Sequence, residues 1–137
     1  MNLLSKLALI VDDDPDVCWA LGHLLRGLEV QCILAFDGQA ALQIVRLNTL
    51  ALALLDAKLS DIDGLELAQS IRIAQPGIPI VVISGYFYKD DPVIQEALER
   101  GLIHGFVEKP FLHTEVIQTV KHALCEHQSK DRPQSTA

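Results

Sequence analysis

Two adjacent carboxylates, Asp12 and Asp13, a third at Asp56, a hydroxyl at Ser84 and an ammonium at Lys109 are the residues of this chain best suited to chemistry. Each stands at or just after the end of a short apolar run. Three carboxylates held close repel one another, and some would take up protons unless a cation intervened. Mg²⁺ (or Mn²⁺) suits such a cluster, as a hard ion bound by a few carboxylates, waters and a phosphate oxygen. Two of the acids would hold the metal and the third would attack phosphorus. Phosphoryl transfer asks little more of a protein than in-line positioning and neutralisation of charge on the equatorial oxygens. Lys109, Ser84 and backbone N–H groups would supply that neutralisation.

Taken singly, each residue has a plainer reading. Asp13 or Asp14 before Pro15 would cap a helix. Asp56 would end a strand, Ser84-Gly85 would turn, and Lys109 would be a solvated lysine. What favours the chemical reading is the set of elements that must position them. Leu7–Val11, Leu50–Leu55 and Ile80–Ile83 are unbroken apolar runs, stopped by Asp12, Asp56 and Ser84. Such runs fit strands buried on both faces, as in a parallel sheet covered by helices. Val30–Ala35, broken by Gln31, reads as a strand nearer an edge, and Gly105–Val107 as a short fifth strand.

Helical spacing fills the gaps. Val17, Leu21, Leu24, Leu25 and Leu28 mark one helix, Ala41, Ile44 and Val45 a second, and Leu67, Ala68 and Ile71 a third ended by Pro76-Gly77. Val93, Ile94, Ala97 and Leu98 mark a fourth, opened by Asp91-Pro92. Val116, Ile117, Val120 and Leu124 mark a fifth, capped by Thr114 or begun a little earlier. Strand and helix alternate five times, which implies a parallel α/β sheet with right-handed crossovers. Sites in such sheets lie at the carboxyl ends of the strands, where the five residues above would converge.

The chain has 137 residues, the length of one domain, and a formal net charge of −7. An acidic chain without a basic cluster is not expected to grip nucleic acid by itself. Cys18, Cys32 and Cys125 show no CxxC spacing and read as buried, reduced thiols. Neither a signal peptide nor a membrane helix is expected, which makes the cytoplasm the default compartment. A single domain is expected over 1–125, with 126–137 a polar tail or the start of a linker.

Five separated motifs then carry a family resemblance: Ile10-Val11-Asp12-Asp13-Asp14, Leu54-Leu55-Asp56, Asp63-Gly64-Leu65-Glu66-Leu67, Ile83-Ser84-Gly85 and Glu108-Lys109-Pro110-Phe111. Together they resemble the receiver domain of bacterial two-component response regulators, over roughly Leu7 to Leu124. The resemblance implies a CheY-like, flavodoxin-like doubly wound fold: a five-stranded parallel sheet of order 2-1-3-4-5 flanked by five helices. It implies that Asp56 is the phosphoacceptor and that Asp12 and Asp13 bind the metal, Asp13 more directly, with the backbone carbonyl of Lys58 as a further ligand. Ser84 and Phe106 fall at the family's switch positions. Lys109 falls at the lysine that pairs with the phosphoryl group, followed by a cis peptide to Pro110. The implied partners are a sensor histidine kinase or phosphotransfer protein, and a downstream protein or output domain read through the α4-β5-α5 face, with a homodimer also open. The implied chemistry is self-phosphorylation and self-dephosphorylation, without turnover of a separate substrate.

The chain departs from the family at several places. Ser60 replaces a frequent proline, Leu102 replaces a usual alanine, and Lys58 brings a positive side chain beside the site. Lys58 and Tyr86 are expected to modulate phosphoryl lifetime. Tyr86-Phe87-Tyr88 is an unusual aromatic cluster, read either as loop packing or as a contact surface. Three other readings compete. A haloacid-dehalogenase-like phosphatase needs a second Asp where Lys58 stands. A fold-only binding module would leave the residue set unused. A nucleotide or flavin protein would want GxGxxG after the first strand, where three aspartates stand. The output remains open, either a stand-alone regulator or a module joined beyond Ala137.

Overall fold

The computed structural model describes residues 6–131, with side chains through residue 125. Five strands alternate with five helices. They are β1 (Leu7–Val11), α1 (Pro15–Arg26), β2 (Gln31–Ala35), α2 (Gly38–Leu47), β3 (Leu52–Leu55), α3 (Gly64–Ala74), β4 (Ile80–Ser84), α4 (Pro92–Glu99), β5 (Gly105–Glu108) and α5 (His113–Asp131). All strand pairs are parallel and the order is β2-β1-β3-β4-β5, as the resemblance implies.

The three uninterrupted apolar runs become the central strands. Every residue of β3 and β4 is buried, and so are Ala8 to Val11 of β1. Alternate side chains feed opposite layers, as strand geometry requires. Leu9, Leu55, Val82 and Phe106 pack toward α2, α3 and α4, whereas Ile10, Leu54, Val81 and Val107 pack toward α1 and α5. Each fully buried Leu or Ile in these layers is worth about 1.5–3 kcal/mol of transfer free energy. Strand β2 is an edge strand with a mixed burial pattern, as its interrupted run predicts.

The helix ends follow from capping. Asp14, Asp37, Asp63 and Asp91 each accept a hydrogen bond from an N–H in the first turn of the helix they precede. Helix α1 stops at Arg26, short of Leu28. The Gly27 N–H reaches the His23 carbonyl, and Glu29 takes a positive φ of 63° that helix cannot continue through. Leu28 still packs on the core from the turn. Helix α5 begins at His113 and runs through Asp131, past the expected domain limit at residue 125; residues 132–137 of the expected tail lie outside the described residues. No described helix is long and apolar enough to cross a membrane.

Only one of the three thiols is buried. Cys18 lies in the core, Cys32 is half-buried on the edge strand and Cys125 is exposed on α5; all three are free. Helical spacing places 125 on the outer side of α5, one residue beyond Leu124, which the apolar count alone did not separate. Burial pushes Cys18 and Cys32 up to about 11. At pH 8 each is then ionised to about one part in a thousand. A thiol reagent at pH 8 should modify Cys125 quickly, mapped by peptide mass, with half-buried Cys32 slower and Cys18 following only on unfolding.

Trp19, the chain's single tryptophan, is 69% exposed on α1 and stacks on His23, with ring centroids 5.6 Å apart.

Candidate functional site

The sheet ladder runs one residue past β1, β3 and β5, and that sets the site. The Asp12 N–H donates to the Ala35 carbonyl at 3.1 Å, the Asp56 N–H to Val11 at 2.9 Å and the Lys109 N–H to Ser84 at 2.8 Å. The side chains just past β1, β3 and β5 therefore emerge together at one edge, with Ser84 ending β4. Asp12, Asp13 and Asp56 each offer a carboxylate oxygen, all within 4.8 Å of one another. Asp12, Asp56 and Ser84 are buried, while Asp13 is exposed.

Lys109 closes the cluster. Its Nζ lies 2.8 Å from Asp12 Oδ2 and 3.8 Å from Asp56 Oδ1. The other Asp12 oxygen accepts the Asp14 N–H at 2.9 Å. The peptide joining Lys109 to Pro110 is cis. Burial and then the Asp12 charge raise the Asp56 carboxyl above its ordinary value; Lys109 and the Lys58 N–H work the other way without cancelling them. Burial pulls the Lys109 ammonium down, but the hydrogen bond and charge of Asp12, helped by Asp56 and Asp13, hold it above its usual value. One ammonium thus faces three acids, which is a site short of positive charge. A small divalent cation with oxygen ligands meets that deficit, so the donor set fits Mg²⁺.

The Ser84 hydroxyl accepts the Tyr86 N–H at 2.8 Å, which leaves its own proton free to donate. Lys58 sits at the mouth, with its Nζ 4.4 Å above the Tyr86 ring. Phe87 meets Tyr86 edge-on and packs against the core, whereas Tyr86 and Tyr88 are 60% and 71% exposed. The aromatic cluster is thus part packing and part surface. Phe106 pairs in register with Val82 and is buried, in the same core layer as Ile94, Ala97 and Ile103.

Two contacts were not visible in the motifs. The Glu108 carboxylate accepts the Lys89 N–H at 2.8 Å and ties the β4–α4 loop to β5. Asp61 binds the first turn of α2, across 23 residues of sequence. Short-range capping rules find Asp37 but cannot find a partner so far along the chain.

The response regulator receiver domain family matches residues 8–121, and the chain belongs to that family. It is 33% identical over 125 residues to the transcriptional regulatory protein ZraR of Klebsiella oxytoca, covering 91% of this chain and 28% of that protein. A CheY-like receiver domain protein from Methanospirillum hungatei superposes with a TM-score of 0.82 at 23% identity, over 91% of this chain and 98% of that one. TrrA of Thermotoga maritima, solved in complex with Mg(2+)-BeF, gives a TM-score of 0.74 at 26% identity, over 86% of this chain and 98% of that one. The chain spans little more than a quarter of the curated relative's length. It is a receiver domain of the two-component type, with an acidic cluster able to hold a metal.

Proposed function

We propose that Asp56 accepts a phosphoryl group from a phosphohistidine of a sensor histidine kinase or phosphotransfer protein. The observation that carries this is the convergence of Asp12, Asp13 and Asp56 within 4.8 Å beneath the Lys109 ammonium. An Asp56 carboxylate oxygen forms the new bond to phosphorus, and the bond from phosphorus to imidazole nitrogen breaks with its electron pair on the imidazole. Asp12, Asp13, Asp56 and the Lys58 carbonyl would hold Mg²⁺ or Mn²⁺, which when bound neutralises charge on the phosphoryl oxygens. Lys109 turns from Asp12 toward the new oxygens, and Ser84 donates its free proton to one of them.

Both movements act on the same ends of β4 and β5 that carry the β4–α4 loop. They bias the α4-β5-α5 face, which a downstream protein, an output domain or a second copy reads. Phe106, buried on β5, would turn toward the space that opens behind Ser84 as its hydroxyl moves. The chain's chemistry is confined to its own phosphorylation and dephosphorylation, in the cytoplasm where such kinases draw on ATP.

Incubation with a small phosphodonor and Mg²⁺, read by intact mass, tests the reading. Wild type should gain one phosphoryl group and Asp56→Asn none; equal gain by both sinks it. Phosphoryl lifetime checks the mouth of the site. Lys58→Ala and Tyr86→Ala should each change it, and the double variant should depart from the sum of the two by about 0.5–1 kcal/mol, because the pair is in contact. Strict additivity would remove any role for the stacked pair.

A further inference from the structure

Residues 57–63, between the phosphoacceptor strand and α3, are held at their base in two ways. Lys58 and Asp63 form an isolated antiparallel bridge, and the Gly64 N–H donates to the Ala57 carbonyl at 2.8 Å. The far end of this loop is held by something else. Asp61 Oδ1 accepts the Gly38 N–H at 2.8 Å and Oδ2 accepts the Gln39 N–H at 3.0 Å. Both donors belong to the first turn of α2, which Asp37 already caps through Ala40. Ile62 seats directly on Gly38, where a Cβ would lie 2.2 Å from its Cγ2.

We propose that Asp61 is a positioning residue for the metal site: its carboxylate clips the loop to α2 and so fixes the main-chain groups of Lys58 against Asp56. The proposal rests on the phosphoacceptor reading above. Ser60 gives the loop none of the φ restraint that a proline would impose. The restraint comes instead from two charge-assisted bonds at a helix N-terminus, where a carboxylate is favoured. Those bonds also hold the Asp61 carboxyl below its ordinary value, led by the Gly38 N–H. The Lys58 N–H is one of the groups that hold the Asp56 carboxyl down, and the Lys58 carbonyl is the one assigned above to the metal. Release of the clip leaves Lys58 held by its bridge to Asp63 alone, which loosens the carbonyl while Asp12, Asp13, Asp56, Ser84 and Lys109 stay where the sheet puts them.

The effect should therefore fall on metal affinity. Partners that orient a metal ligand without touching the ion are typically worth tenfold or more, so Asp61→Ala should raise the Mg²⁺ Kd, measured by calorimetry on the unphosphorylated chain, about tenfold. The Mg²⁺ concentration giving half-maximal phosphorylation by a small donor should rise by the same factor, with the rate at saturating Mg²⁺ held within about twofold. Asp61→Asn, which keeps one acceptor, should fall between Ala and wild type. Amide exchange at Gly38 and Gln39 reports whether the clip has opened. Fast exchange at both with unchanged Mg²⁺ affinity overturns the proposal, as does a lower saturated rate with no change in Kd. Wild type that binds Mg²⁺ but gains no phosphate would instead overturn the phosphoacceptor reading, with the calorimetric comparison still deciding the clip.

Discussion

Lys109→Met should cut the rate of phosphorylation at saturating Mg²⁺ by about a hundredfold, the usual consequence of removing one preorganised donor from developing charge. Methionine keeps the length and apolar stem of the lysine, so the packing beside Gly85 survives and the loss is one of charge. In the resting chain the ammonium is the counter-charge of Asp12, whose side chain is only 3% exposed, at 2.8 Å. Without it three acids share one edge with no positive side chain in contact. The variant should melt lower than wild type in metal-free buffer and regain part of the difference in millimolar Mg²⁺, because a ligand bound only by the folded state stabilises it. Stopped-flow phosphorylation and a pair of thermal melts check both halves. An unchanged saturated rate would remove Lys109 from the chemistry.

Gly64→Ala should destabilise the fold by about 3 kcal/mol, at the upper end of what overpacking costs. A Cβ there would lie 2.1 Å from the Asp56 carbonyl oxygen and 2.7 Å from Ala57 Cα. Both are backbone atoms of the phosphoacceptor strand's end, so neither can swing aside as a side chain would. Relief requires α3 to back away from β3, which also strains the Gly64 to Ala57 hydrogen bond. Denaturant unfolding measures the loss. Asp56 should be less readily phosphorylated in the variant even where it is fully folded, since the displaced backbone carries the nucleophile. A loss below about 1 kcal/mol would mean that the helix shifts freely, against the close packing of such layers.

The contrast between what was legible in the sequence and what was not has a physical cause. Asp12, Asp56 and Ser84 were readable because a fully buried parallel strand needs an unbroken apolar run, and the first polar residue after it must surface at the carboxyl edge. Lys109 was readable by the same rule on a weaker strand. Helix starts at Asp14 and Asp91 were readable because caps act within three residues. Asp61, Glu108 and the separation of Cys125 from the other thiols were not. Their partners are fixed by how helices and loops settle on the sheet, and no spacing rule spans 23 residues of sequence. The extension of β3 was overread for a related reason: Leu50 is buried, but its N–H goes to the Gln75 side chain and not to a strand.

The exposed indole on α1 gives the molecule an optical label of its own. With one tryptophan in the chain, all indole emission comes from Trp19. Lying in water against His23, it should emit at the long-wavelength end. Any surface that docks over α1 would dry the ring and shift its colour. The helix beside the acidic pair therefore carries a reporter of its own coverage, and no dye need be attached to follow what comes to that face.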